Sequence, residues 1–121
     1  MNIPEIVTGF CGAMVWADCR EGSNPRVTLA TRLSVSARVR SFIESNQADS
    51  EQALGKVTPD KFGFMLFLSM AGHGTGFFDE DALPETLRDS LQDACHAYRI
   101  ETEQYGGWIG IYSDRFALNR A

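Results

Sequence analysis

Apolar positions recur at helical spacing in three parts of the chain and run together in a fourth. Ile3, Ile6, Val7, Phe10, Cys11, Met14 and Val15 fall at three- and four-residue steps, which is one face of a helix. Pro4 suits its first turn, where a missing N–H costs nothing. Gly9 and Gly12 each weaken that helix by about 1 kcal/mol relative to Ala and so imply close packing. Gly22, followed by Ser23-Asn24-Pro25, marks its stop. Arg26 to Leu33 alternates only weakly and fits a short strand or an ordered loop. Ser34 then reads as the N-cap of a second helix whose apolar face is Val35, Val39, Phe42 and Ile43. That helix frays over Asn46 to Ser50, continues through Glu51 to Leu54 and ends at Gly55.

Thr58-Pro59-Asp60 reads as a cap with proline at the first helical position, predicting a single turn before Gly63. Phe64 to Met70 is a continuous apolar run with one serine, the length of a strand buried on both faces. Ala71-Gly72-His73-Gly74 then reads as a turn, and Thr75 to Phe78 as the returning strand of a hairpin. The next helix has the clearest pattern. Leu83, Leu87, Leu91, Cys95 and Tyr98 line one side, while Asp81, Glu85, Asp89 and Asp93 run at four-residue steps on the other, with Pro84 at the start. Glu101 to Tyr105, Gly106-Gly107 and Trp108 to Tyr112 read as a second hairpin. The expected fold class is therefore α+β: a small antiparallel sheet of two hairpins with three helices mainly on one face, in a single domain over residues 1–121.

Composition sharpens this picture. With 44% hydrophobic and 22% charged residues, the chain is of ordinary globular make-up. The net charge of −5 is unevenly placed. Residues 1–61 hold seven Lys/Arg and seven Asp/Glu, whereas residues 62–121 hold four and nine, so the whole excess sits in the second half. That opposes direct nucleic-acid binding, which needs a basic surface, and is compatible with a basic protein partner. Cys11, Cys19 and Cys95 are odd in number and form no CxxC pair, so neither a disulfide framework nor a zinc site is expected. The first residues lack the basic start of a signal peptide, and no apolar run reaches the roughly 20 residues that span a bilayer. The expectation is a reduced, soluble, cytoplasmic protein with no cofactor, no metal and no membrane partner.

Two constellations are candidates for function. The loop Gly72-His73-Gly74-Thr75-Gly76 is glycine-rich, but it lacks a P-loop lysine and leads into an extended segment rather than a helix. A hairpin turn needing positive φ explains its glycines equally well. His73 could serve as a general base oriented by Asp79 or Asp81, with Ser69 as a conceivable nucleophile, although no nucleophile-elbow pattern surrounds that serine. Cys95 and His96 are adjacent on a helix and point about 100° apart, a poor start for a shared metal. The second constellation is acidic. Asp81, Glu85, Asp89 and Asp93 place a carboxylate about every 6 Å along a helix, close to the spacing of phosphates on a nucleic-acid strand, and Asp79, Glu80, Glu101 and Glu103 could widen the patch. Such a row could occupy an Arg/Lys groove built for nucleic acid, or simply solvate a helix face.

The segment FLSMAGHGTGFFDEDALPETLRDSLQDACHAY resembles the central signature of a family of small, uncharacterised phage and prophage proteins. Those carry an aromatic-rich strand, an Asn-Gly-His-Gly-x-Gly-Phe-Trp-Asp stretch, an amphipathic helix and a Tyr…Gly…Ile-Tyr ending. Gly72, His73, Gly74, Gly76, Phe77 and Asp79 match. The family's Asn is Ala71 here and its Trp is Phe78. Tyr105, Gly106, Gly107, Ile111 and Tyr112 are similar to its ending, and the N-terminal helix up to Trp16 is also alike. The resemblance implies a phage accessory gene product and no known reaction. By analogy, the expected partner is a host protein such as a nucleic-acid-handling defence complex, blocked in the manner of anti-CRISPR or anti-restriction proteins. The alternatives are a small hydrolase with His73 in its active loop, and an oligomeric structural phage component.

Overall fold

The computed structural model describes residues 1–18, 25–72, 76–77, 80–99 and 111–113. Its elements are α1 (Ile3–Asp18), β1 (Pro25–Val27), α2 (Leu29–Ser45), α3 (Gln47–Leu54), α4 (Pro59–Ala71), α5 (Glu85–His96) and β2 (Ile111–Ser113). The fold is helical, and the α+β expectation is wrong. The only β pairing among the described residues is three residues long and antiparallel, with Val27 opposite Ile111, so it joins distant parts of the chain and is no hairpin.

The run read as a buried strand is the central helix, α4. Thr58 caps it in an extended conformation and Pro59 opens it, as the sequence suggests, but the helix does not stop after one turn. It continues to Gly72, whose left-handed backbone (φ 72°) closes it with an N–H bond to the Leu68 carbonyl. Phe62, Gly63 and every residue from Met65 to Met70 are buried. A helix covered on nearly all sides shows no polar face, so its periodicity vanishes and it imitates a two-faced strand.

Gly63 stays inside the helix because α1 crosses there, backbone on backbone. A Cβ at Gly63 would overlap the Ile6 carbonyl oxygen and lie 2.8 Å from the Phe10 nitrogen. Reciprocally, a Cβ at Gly9 would overlap the Asp60 carbonyl and lie 2.7 Å from the Asp60 Cα. This close approach lets Phe10 meet Phe67 edge-on, with ring centroids 5.4 Å apart. The α1–α4 contact is the most extensive among the described elements. Gly12, by contrast, is exposed, and a Cβ there meets nothing within 4 Å among the described residues.

The cap of the second helix lies six residues earlier than Ser34. Thr28 is its cap, with its hydroxyl accepting the Thr31 N–H at 3.2 Å. The buried face is Thr31, Val35, Val39, Phe42 and Ile43, while Leu29 and Leu33 are 72% and 64% exposed. Those two leucines mimic strand alternation in the very turn where the helix shows its other side to solvent. Asn46 breaks the chain before α3, which ends at Gly55 as expected.

Candidate functional site

Helix α5 follows its sequence pattern closely. Leu87, Leu91 and Cys95 are buried, as is Leu83 just before the helix. Its C-terminal end is fastened to α2: the Arg38 guanidinium donates to the Tyr98 carbonyl at 2.8 Å, and the Tyr98 hydroxyl meets the Ser41 carbonyl at 3.1 Å and Ser45 Oγ at 3.2 Å. A cation at this end also complements the helix dipole. Ser90 Oγ donates to Asp49 Oδ2, tying the middle of α5 to α3. The helix is thus held from two sides, and its third side is solvent.

On that side stand Glu85, Asp89 and Asp93, all exposed. Eight residues of helix place the first and last about 12 Å apart. Glu85 lies in the first turn, where the helix dipole favours a carboxylate. The other acids predicted for the row behave differently. Asp81 lies in a turn before the helix, fully exposed, with Oδ1 3.9 Å from Arg88 Nη1. Glu80 faces inward: Oε2 is 2.7 Å from Lys61 Nζ, and Oε1 accepts the Ala82 N–H at 3.0 Å. The hydrogen bond from Lys61, aided by that of Ala82, holds its carboxyl below the usual carboxylate range. Glu80 therefore pins the loop to α4 and is removed from the binding set. Asp79 lies outside the described residues.

The glycine-rich loop also changes character. Gly72 is the C-terminal cap of α4, so the loop leaves the helix end that carries carbonyls and partial negative charge, whereas phosphate cradles form at N-termini. Gly76, at φ 100°, is buried, and a Cβ there would overlap Ser69 Oγ and lie 3.0 Å from the Met65 carbonyl oxygen. Ser69, 4% exposed, accepts the Phe77 N–H at 3.2 Å, and the Phe77 ring packs on Phe62 with centroids 5.5 Å apart. Ser69 is thus a pin for the returning chain rather than a nucleophile. His73 and Gly74 lie outside the described residues, as does the predicted Thr75 to Phe78 strand except Gly76 and Phe77. The second hairpin falls outside them too, except Ile111 and Tyr112, which pair with β1.

The described cysteines, Cys11 and Cys95, are free and buried. Burial pushes the Cys95 thiol up to about 12 and raises that of Cys11, where Arg32 opposes the effect. Among the described residues no group of His, Cys, Asp and Glu could hold a metal ion, and no helix is long and apolar enough to cross a membrane. Trp16 is 61% exposed and rests on Phe64 with ring centroids 5.8 Å apart, an exposed aromatic of the kind found at interfaces. No protein family model, no curated protein and no solved structure matches the chain.

Proposed function

We propose that this protein acts by binding another protein, with the outer face of α5 as its contact surface. The observation that carries the reading is the placement of Glu85, Asp89 and Asp93 together on the solvent side of a helix anchored by its other two sides. A rigid row of carboxylates complements a groove lined by Lys and Arg, and a groove of that kind is what nucleic-acid-handling proteins present. The phage resemblance makes a host-defence complex the favoured partner class, with blockade of its nucleic-acid site as the effect. Asp81 extends the row from the preceding turn; Glu80 does not.

The test is a pull-down from the bacterial host, washed at rising salt, with the wild type beside a Glu85→Lys, Asp89→Lys, Asp93→Lys variant. All three side chains are exposed, so the variant is expected to fold. The expected result is a nucleic-acid-binding protein retained at low salt by the wild type alone, released at high salt, and impaired in nucleic-acid binding while held. Equal capture by the charge-reversed variant would refute the acidic-face mechanism.

A further inference from the structure

A second surface, on different elements from the acidic helix, has the make-up of a small-ligand site. An open cleft of about 430 Å³ lies between α1 and α2, lined by Thr8, Cys11, Gly12, Val15, Val27 and Arg32. Its size and apolar floor fall within the range of small-molecule sites, which add a few placed polar groups to a hydrophobic lining. The placed group here is the Arg32 guanidinium. Its Nη2 donates to Thr8 Oγ1 at 3.2 Å, and the Thr8 hydroxyl in turn donates to the Pro4 carbonyl at 3.0 Å. Thr8 therefore fixes the direction of Arg32 with its lone pair, and its own proton is engaged within α1. A guanidinium has five N–H donors, so holding Thr8 does not exhaust it. Arg32 and Cys11 both line the cleft, and the charge of Arg32 opposes the upward push that burial gives the Cys11 thiol.

Gly12 is the second observation. Glycine within a helix costs about 1 kcal/mol relative to Ala. At Gly9 a neighbouring backbone requires it, but at Gly12 a Cβ would meet nothing within 4 Å. Among the described residues packing does not account for that glycine, whereas its place in the lining of the cleft beside Val15 and Val27 does.

We propose that this cleft binds a small organic acid, its carboxylate paired with Arg32 and its apolar body lying over Gly12, Val15 and Val27. The charge of Arg32 selects the anion, and the apolar lining selects the tail. Octanoate is the probe, followed by amide NMR on the full chain, with octan-1-ol and octylamine as controls of equal tail. Octanoate is expected to shift the amides of Cys11, Gly12, Val15, Val27 and Arg32, and the alcohol and amine to bind at least about tenfold more weakly. Arg32→Gln is expected to remove the preference for the acid over the alcohol. Gly12→Leu, at an exposed helix position where a Cβ meets nothing within 4 Å among the described residues, is expected to retain the native spectrum and unfolding midpoint yet lose the octanoate response. No response to octanoate at millimolar concentration, equal binding of octanol, or undiminished binding by folded Gly12→Leu would each overturn the proposal.

Discussion

Three glycines give the packing scheme its sharpest test, because helix propensity alone assigns all three the same sign. Replacing a helical Gly by Ala adds about 1 kcal/mol of stability when nothing else changes. At Gly63 the new methyl would overlap the Ile6 carbonyl oxygen and sit 2.8 Å from the Ile6 carbonyl carbon and the Phe10 nitrogen. Ordinary carbon contacts need about 3.5–4.0 Å, so α1 and α4 would have to part by roughly 1 Å. The obstacle is backbone on both sides, and no rotamer change relieves it. A gap of that size forfeits about a quarter to a half of each attraction across the affected contacts, and overpacking of cores typically costs about 1–3 kcal/mol. Taking the upper end and subtracting the propensity gain leaves a net loss of about 2 kcal/mol. With a urea m-value of about 2 kcal/mol per molar, the unfolding midpoint is expected to fall by about 1 M. Gly9→Ala, facing Asp60 across the same crossing, is expected to lose a similar amount, whereas Gly12→Ala is expected to gain up to about 1 kcal/mol. Urea unfolding followed by circular dichroism measures all three. A Gly63→Ala or Gly9→Ala protein as stable as the wild type would refute the close crossing of α1 and α4.

Ser69→Ala removes the acceptor of the buried Phe77 N–H and is expected to destabilise by about 1–3 kcal/mol, read by thermal unfolding, with the Phe77 amide exchanging faster in deuterated buffer. Glu80→Gln is expected to cost about 1 kcal/mol near neutral pH through loss of the Lys61 pair. The folded state holds the Glu80 carboxyl below its ordinary value, so around pH 4 the unfolded chain binds more protons there, and the stabilisation is present above the ordinary carboxylate range and lost as pH falls through the lowered one. The stability difference between wild type and Glu80→Gln is therefore expected to vanish in acid; a difference unchanged down to about pH 2–3 would show that the ion pair does not supply it.

The sequence is most legible where one face of an element meets solvent. In α5, Leu87, Leu91 and Cys95 point inward and Glu85, Asp89 and Asp93 outward, and both sets can be read directly. It is least legible at α4, where burial on nearly all sides erases the contrast that period-counting needs, although Thr58-Pro59 and Gly72 flag its ends. The start of α2 is hidden because its two most conspicuous apolar residues, Leu29 and Leu33, are solvent-facing, while the buried position of its first turn is a threonine, Thr31. The site is half legible for a related reason. Local spacing can place carboxylates along a helix, but it carries no information on long-range partners. Nothing near Glu80 in sequence announces Lys61, nineteen residues earlier and on α4. Arg32 and Thr8 escape a sequence reading likewise, because their cleft exists only once α2 lies against α1.

The acidic row also carries its own energetic signature. Glu85 and Asp89, and Asp89 and Asp93, are like charges four residues apart, and each such pair destabilises a helix by about 0.2–0.5 kcal/mol. The dipole at the first turn returns about 0.3–1 kcal/mol to Glu85 alone. Asp89 and Asp93 gain nothing comparable from the helix end, so their repulsion is borne by the attachment of α5 through Leu87, Leu91 and Cys95 and through the Ser90–Asp49 hydrogen bond. Salt screens that repulsion in the free protein, and it equally screens the attraction to a basic groove. If the row serves only to solvate α5, added salt does no more than steady the helix. If the row is a binding surface, the same salt that steadies the free protein weakens its complex, and the charge-reversed variant, whose lysines repel one another in the same geometry, keeps the first response while losing the second. The two responses diverge only when the carboxylates meet opposite charge on a partner, so their divergence separates a contact surface from a solvated face whatever that partner is.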